Sequence, residues 1–323
     1  MRNIERLRQF GWLRPLATLA FVIVLATVFS PRDAQDGSQI FWQRDNLTNV
    51  LRQISDIGIL AMGMTLVIIS GGIDLSVGSL LALSCTVFAY TYKDLGWMPG
   101  LAAVTAMGTT AAFGLASGAV ISKLRMQPFI VTLAAMIGGR GVAKWLVSNK
   151  TIAIGYDPRT ARVVDFVGQK AFVVPTFLAV TVVALILLNR TRFGRYLMAV
   201  GGSEDAARLS GINVTWVKVR VFTLSGLIAG LAGVLYCCET HQGDPKAGMA
   251  YELDAIAAAV IGGTSLMGGK GGILGTVVGA LALGILSNVL GLNNVDENVQ
   301  WMLKAVIILV AVWLQTVGSK RTG

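Results

Sequence analysis

The sequence predicts an all-α, polytopic integral membrane protein, one transmembrane domain over residues 1–323. Three observations predict it: apolar composition, ten apolar segments of near-membrane length, and basic residues gathered in alternate loops. Of 323 residues, 54% are hydrophobic and 14% charged, too little polar surface to cover a water-soluble domain. A bilayer core takes about 20 apolar residues per helix and about 17 at the least. That length marks segments near 12–30, 48–70, 75–92, 98–122, 129–147, 173–189, 217–238, 252–267, 272–290 and 300–317. Glycine-rich turns blur the ends of the third, eighth and ninth.

Taken in order, the first segment follows Arg2, Arg6 and Arg8 and contains "LATLAFVIVLATVFS". It is built like a signal peptide but lacks a small-residue cleavage site, and nine segments follow, so a retained anchor is expected after a cytoplasmic stretch at 1–11. In the second, Asp56 lies one turn after Arg52, a spacing that favours an ion pair. "ISGGIDLSVGSLLALS", residues 69–84, joins the second and third. Gly71 and Gly72 give the backbone freedom for a reversal, and Asp74 is placed to accept from free amides opening the next helix. Glycine interruption beside a charge also marks discontinuous helices near a transport path.

The fifth segment carries Phe129 and Thr132, candidates to line a path, and Arg140 with Lys144, four apart and mutually repelling, which are expected to snorkel to the outer interface. After the sixth comes a hydrophilic loop, 190–216, within "TRFGRYLMAVGGSEDAARLSGINVTWVKVR". Ser203 is a good N-cap, Glu204 and Asp205 suit the positive end of a helix, and Gly211 suits its stop, so a short capped helix of about two turns is expected. Asp254 sits where the eighth segment begins, as a capping residue would. "VIGGTSLMGGKGGILGTVVGALALG", residues 260–284, echoes the first glycine turn through Gly262 and Gly263. Glycines 268, 272, 275 and 279 allow close helix approach, and Asn288 is a further polar candidate on the ninth.

With a cytoplasmic N-terminus, ten spans return the C-terminus to the same side. The inner loops then hold fifteen basic residues, at 2, 6, 8, 14, 123, 125, 190, 192, 195, 208, 218, 220, 270, 320 and 321, against four acidic ones, Glu5, Asp74, Glu204 and Asp205. The outer loops hold eight basic and eleven acidic residues, and basic residues inside are the rule. The net charge of +10 therefore reads as loop orientation, with no call for nucleic acid.

Several chemistries are excluded. His241 is the sole histidine, so histidine triads and multi-histidine metal sites are ruled out. Cys85, Cys237 and Cys238 lie in or beside apolar segments and read as packing residues. "GGTSLMGGKGG", residues 262–272, is not a phosphate loop, because Gly271 follows Lys270 where Ser or Thr is needed. Asp56 and Asp74 are the pair an intramembrane aspartyl protease would need, and the ion pair with Arg52 is the plainer reading of Asp56. Loops 31–47, 148–172 and 190–216 are each too short for an independent ATP-hydrolysing core.

Three runs, "GMTLVIISGGIDLSVGSLLALS", "GRYLMAVGGSEDAARLSGINV" and "YELDAIAAAVIGGTSLMGGKGGILGTVVGAL", resemble the permease subunits of bacterial sugar ABC importers, the ribose-type branch. "RGV" at 140–142 and "KAVIILVAV" at 304–312 are similar too, and the resemblance runs from about residue 47 to 316. It implies a multi-pass protein of the bacterial inner membrane, paired with a second permease chain as a homo- or heterodimer. It also implies two cytoplasmic ABC ATPase subunits, which bind ATP and Mg, and a periplasmic sugar-binding protein. The chain itself would be no enzyme and hold no cofactor or metal.

The capped loop resembles an importer coupling helix, with Glu204, Ala206, Ala207 and Gly211 matching its Glu-Ala-Ala and glycine pattern and Asp205 departing from it. A sugar path is expected to be lined by amides, hydroxyls and aromatic faces, for which Phe129, Thr132 and Asn288 are candidates. Docking of the binding protein is expected near Glu239, Asp244 and Glu252. An ion-coupled secondary transporter, using Asp56 or Asp254, is the alternative.

Overall fold

A computed structural model describes residues 2–33, 37–155 and 161–320, with the side chains of 15–33, 37–155, 162–307 and 309. The basic side chains at 2, 6, 8, 14, 320 and 321 lie outside the described residues. The chain is helical: α1 (Arg2–Phe29), α2 (Arg44–Ile69), α3 (Val77–Ala89), α4 (Pro99–Lys123), α5 (Pro128–Leu146), α6 (Ala161–Gly168), α7 (Lys170–Arg190), α8 (Arg192–Gly202), α9 (Glu204–Leu209), α10 (Val214–Thr240), α11 (Tyr251–Ile261), α12 (Ile273–Leu292) and α13 (Glu297–Lys320). Each of the ten expected segments falls on one of them. Two strands, β1 (Ile152–Ala153) and β2 (Gln242–Gly243), pair antiparallel at the end of the bundle opposite α9.

Among the described residues, α2, α4, α5, α7, α10 and α12 are each long and apolar enough to cross a membrane. The third and eighth segments are not. α3 has 13 residues, about 20 Å, and runs on through a π-helical turn at Tyr90–Asp94, while α11 has 11 residues, about 16 Å, against a hydrocarbon core near 30 Å. For α11 the physical reason lies in its glycine turn: Gly263 has φ +90°, a region that ends a helix wherever glycine permits it. α11, on the eighth segment, stops at Ile261, short of the expected 267.

α10 is the central helix, packed against α2, α3 and α4. Close approach is made where side chains are absent: Gly114 and Gly118 of α4 lie on the α10 backbone at Phe222 and Val219, and Gly226 and Gly230 of α10 lie on α4 at Thr110 and Met107. Small residues so placed let helix backbones meet and gain dispersion contact in a medium that supplies no hydrophobic drive. The Ser84 hydroxyl donates to Gly230 O at 2.6 Å, tying α3 to the same helix. Gly275 and Gly279 likewise seat α12 on α11 at Gly262 and Ala258, as their spacing implied, whereas Gly272 has open space around it.

Candidate coupling site

The two short helices form an inverted pair. From Ile69, at the α9 end of the bundle, Gly71–Ser76 runs inward without helix, and α3 then continues towards β2, where the Cys85 thiol donates to Gln242 O at 3.2 Å. From β2 the chain runs inward again through residues 244–250, and α11 continues back to the α9 end. The N-termini of α3 and α11 meet: Gly248 O, with the Glu252 carboxylate beside it, occupies the space where a side chain on Gly78 would stand.

Each non-helical leg is fastened by polar contacts. Asp74, 1% exposed, accepts at Oδ1 from the Ser76 amide (3.0 Å) and hydroxyl (2.5 Å). At Oδ2 it accepts from the Ser225 hydroxyl of α10 (2.7 Å). The sequence placed Asp74 as a cap on the free amides of α3; the carboxylate instead holds the turn before the helix and bolts it to α10. Thr132 of α5 donates to Ile73 O at 3.1 Å and to Phe129 O at 3.3 Å and is wholly buried. On the second leg, Arg140 donates through Nη1 to Pro245 O (3.1 Å) and Ala247 O (2.6 Å). The expected snorkelling is therefore corrected for Arg140, whose cation satisfies two carbonyls of a segment that no helix ladder serves.

At the α9 end, three chain segments meet at glycines. The Gly269 amide donates to Ile69 O at 2.9 Å. Any side chain on Gly201 would overlap that carbonyl and the Gly269 amide, and a Cβ on Gly268 would stand 2.6 Å from Gly201 O. Gly71 and Gly268 both adopt positive φ here, +82° and +81°, and Gly71 borders Gly268. One junction therefore joins the end of α2, the end of α8 and the α11–α12 turn. The sequence showed the echo of the two glycine turns, but not that they touch, nor that Gly201 and Gly202 lie between them.

α9 leaves this junction directly. The Ser203 hydroxyl accepts from the Ala206 amide at 3.3 Å, Ala207 is buried, and Gly211 closes the helix at φ +79°, as a C′ glycine does. Glu204 bonds Lys218 of α10 and lies 3.9 Å from Arg208, while Asp205 faces out. Arg220 stacks on Trp216 with 3.1 Å to the ring centroid, holding the α10 entrance on the same side. The six-residue helix is thus pinned at both ends by its caps and at its side by an ion pair.

Other expected sites fall differently. Asn288 and Asn46 exchange amide hydrogen bonds at 2.9 and 3.1 Å, so the Asn288 side chain is engaged by α2. Phe129 is exposed at the start of α5. Arg52 bridges to Glu239 of α10, and among the described residues no ion pair joins it to Asp56. Asp254 pairs with Lys304 of α13 at 3.1 Å. Glu239 and Glu252 are turned inward, and Asp244 accepts from the Lys246 amide at 2.9 Å. Cys85, Cys237 and Cys238 are free and buried.

The branched-chain amino acid transport system / permease component family matches residues 46–312. The ribose import permease of Escherichia coli is 43% identical, with 94% of each chain covered. The fructose import permease of Rhizobium meliloti is 33% identical over 98% of this chain and 90% of its own. An inner membrane ABC transporter permease of Escherichia coli is 37% identical over 83% and 82%. With a capped helix rooted between two broken helices and relatives of this kind along nearly its whole length, the chain belongs to the branched-chain amino acid transport system permease family.

Proposed function

We propose that this chain is the membrane-spanning permease of an ATP-driven importer that carries a monosaccharide, a pentose or hexose, across the bacterial inner membrane into the cytoplasm. The observation that carries this reading is the placement of α9. It is a short rigid helix capped by Ser203 and Gly211, and it grows from the one junction that contacts both broken-helix turns. An external engine acting on α9 has a backbone route to both. ATP and Mg bind on the ABC ATPase subunits, a periplasmic sugar-binding protein delivers substrate, and a second permease chain, identical or different, completes the path. The whole of 1–323 is one transmembrane domain.

The basic excess around α9 supports a topology with α9 and both termini in the cytoplasm. In it α1–α5, α7 and α10–α13 make ten passages, of which α3 and α11 each complete a passage begun by a non-helical leg. Gly71, Gly72, Asp74, Gly262 and Gly263 serve as gating turns. Discontinuous helices of this kind are tolerated only where protein or a cavity covers their backbone, which supports a path near the N-termini of α3 and α11. Phe129 is the residue proposed to face sugar, Thr132 positions the Ile73 leg, and Asn288 fastens α12 to α2. The ion-coupled alternative is not favoured, since Asp254 is occupied by Lys304 and the ribose and fructose relatives are import permeases.

ATP-dependent uptake of radiolabelled pentoses and hexoses into proteoliposomes holding this chain, its ATPase and its binding protein tests the proposal. Uptake that needs hydrolysable ATP is expected. Uptake driven by an ion gradient without ATP would overturn it.

A further inference from the structure

Leu209 and Met267 are the two most exposed large apolar side chains among the described residues, at 90% and 88%. Leu209 ends α9, and Met267 is the tip of the α11–α12 turn. Both belong to the same end of the bundle, because Gly268 and Gly269, next to Met267, lie on Gly201 and Gly202, which lead straight into the Ser203 cap. The turn is a built feature. Ser265 donates its amide to Lys270 O at 3.0 Å, Gly268 to Ser265 O at 3.0 Å, and Met267 to the Ser265 hydroxyl at 3.3 Å. Met267 is therefore held outward on a closed loop.

Single exposed apolar side chains are ordinary on protein surfaces. These two differ in lying in segments that also carry Glu204, Asp205, Arg208 and Lys270, at the end of the bundle that the proposed topology puts in the cytoplasm, so a partner protein is what would cover them. An apolar anchor inside a charged rim is the usual anatomy of a docking centre, and methionine adapts to the pocket it enters.

We infer that the α11–α12 turn is a second docking element beside α9, with Met267 entering an apolar pocket on the ABC ATPase subunit. The inference rests on the importer reading. Because Gly269 is bonded to Ile69, a push on Met267 reaches the end of α2 without passing through α9.

The test is a binding titration of the labelled ATPase subunit against the full chain in nanodiscs. Leu209→Asp and Met267→Asp are each expected to weaken binding at least tenfold. Met98→Asp, exposed at the opposite end, is expected to bind as wild type. A benzophenone attached at Met267→Cys is expected to crosslink to the ATPase, the three native thiols being buried. Unchanged affinity of Met267→Asp while Leu209→Asp is weakened, or absence of the crosslink, overturns the inference and leaves the importer reading standing. Failure of the wild-type chain to bind any ATPase overturns both.

Discussion

The Ser225 hydroxyl of α10 donates to Asp74 Oδ2 at 2.7 Å, across 151 positions of sequence, and the Asp74 carboxylate has its other oxygen on Ser76. A buried carboxylate is tolerated when its lone pairs are filled, and here the donors come from both the leg that must hold its shape and the helix that carries it. Asp74→Ala removes the acceptor from three donors at once and is expected to destabilise most. Ser225→Ala strands one carboxylate oxygen, at about 1–3 kcal/mol. Asp74→Asn keeps an acceptor for Ser76 and a donor for Ser225 and is expected to cost least. Thermal melts in nanodiscs read the order, and an Asp74→Ala protein as stable as wild type would remove the bolt from the structure.

Asn288 offers a separate check. Its reciprocal bonds with Asn46, which also donates to Phe41 O at 3.0 Å, make it a fastening between α2 and α12. Asn288→Ala is expected to lower the melting temperature, through about 1–3 kcal/mol for the unpaired Asn46 amide, with the KM for sugar unchanged. A raised KM at unchanged stability would return Asn288 to the substrate path.

The Glu204 pair with Lys218 holds the side of α9 to α10. Glu204 is 42% exposed and Lys218 11%, so solvent screens the pair, and the expected contribution is about 0.5–1 kcal/mol. Lys218→Met is expected to cut ATP-driven uptake about two- to five-fold, with ATP hydrolysis retained and little change in melting temperature. Equal loss of hydrolysis and uptake would place Lys218 in ATPase docking and not in the transmission of movement.

Much of this was legible in sequence. The caps of α9 are local chemistry, and Ser203, Glu204 and Gly211 stand where their side-chain and backbone preferences put them. Hydropathy marked six helices long and apolar enough to cross a membrane, because an unbroken apolar run of that length has few other folds open to it. It carried the eighth segment to 267, six residues past the end of α11 at Ile261, because Gly262 and Gly263 are counted by hydropathy as neutral while their backbone ends the helix. Partners far apart in sequence were invisible: Asp74 with Ser225, Asn46 with Asn288, Arg140 with the carbonyls of 245 and 247. Arg52 and Asp56 misled because helical spacing permits a pair without forbidding a better one, and Glu239 supplied it.

Gly201 and Gly202 separate the transmission role from general packing. Alanine at 201 overlaps the Ile69 carbonyl and the Gly269 amide, so the junction must spread, whereas alanine at 202 meets nothing within 4 Å. The measurement to make is sugar uptake per ATP hydrolysed in proteoliposomes for wild type, Gly201→Ala and Gly202→Ala, with the ATPase and binding protein present. Gly202→Ala is expected to match wild type, and Gly201→Ala to hydrolyse ATP while transporting at least tenfold less sugar. Gly201→Ala transporting with wild-type stoichiometry would contradict a backbone junction as the route from α9 to the two broken helices.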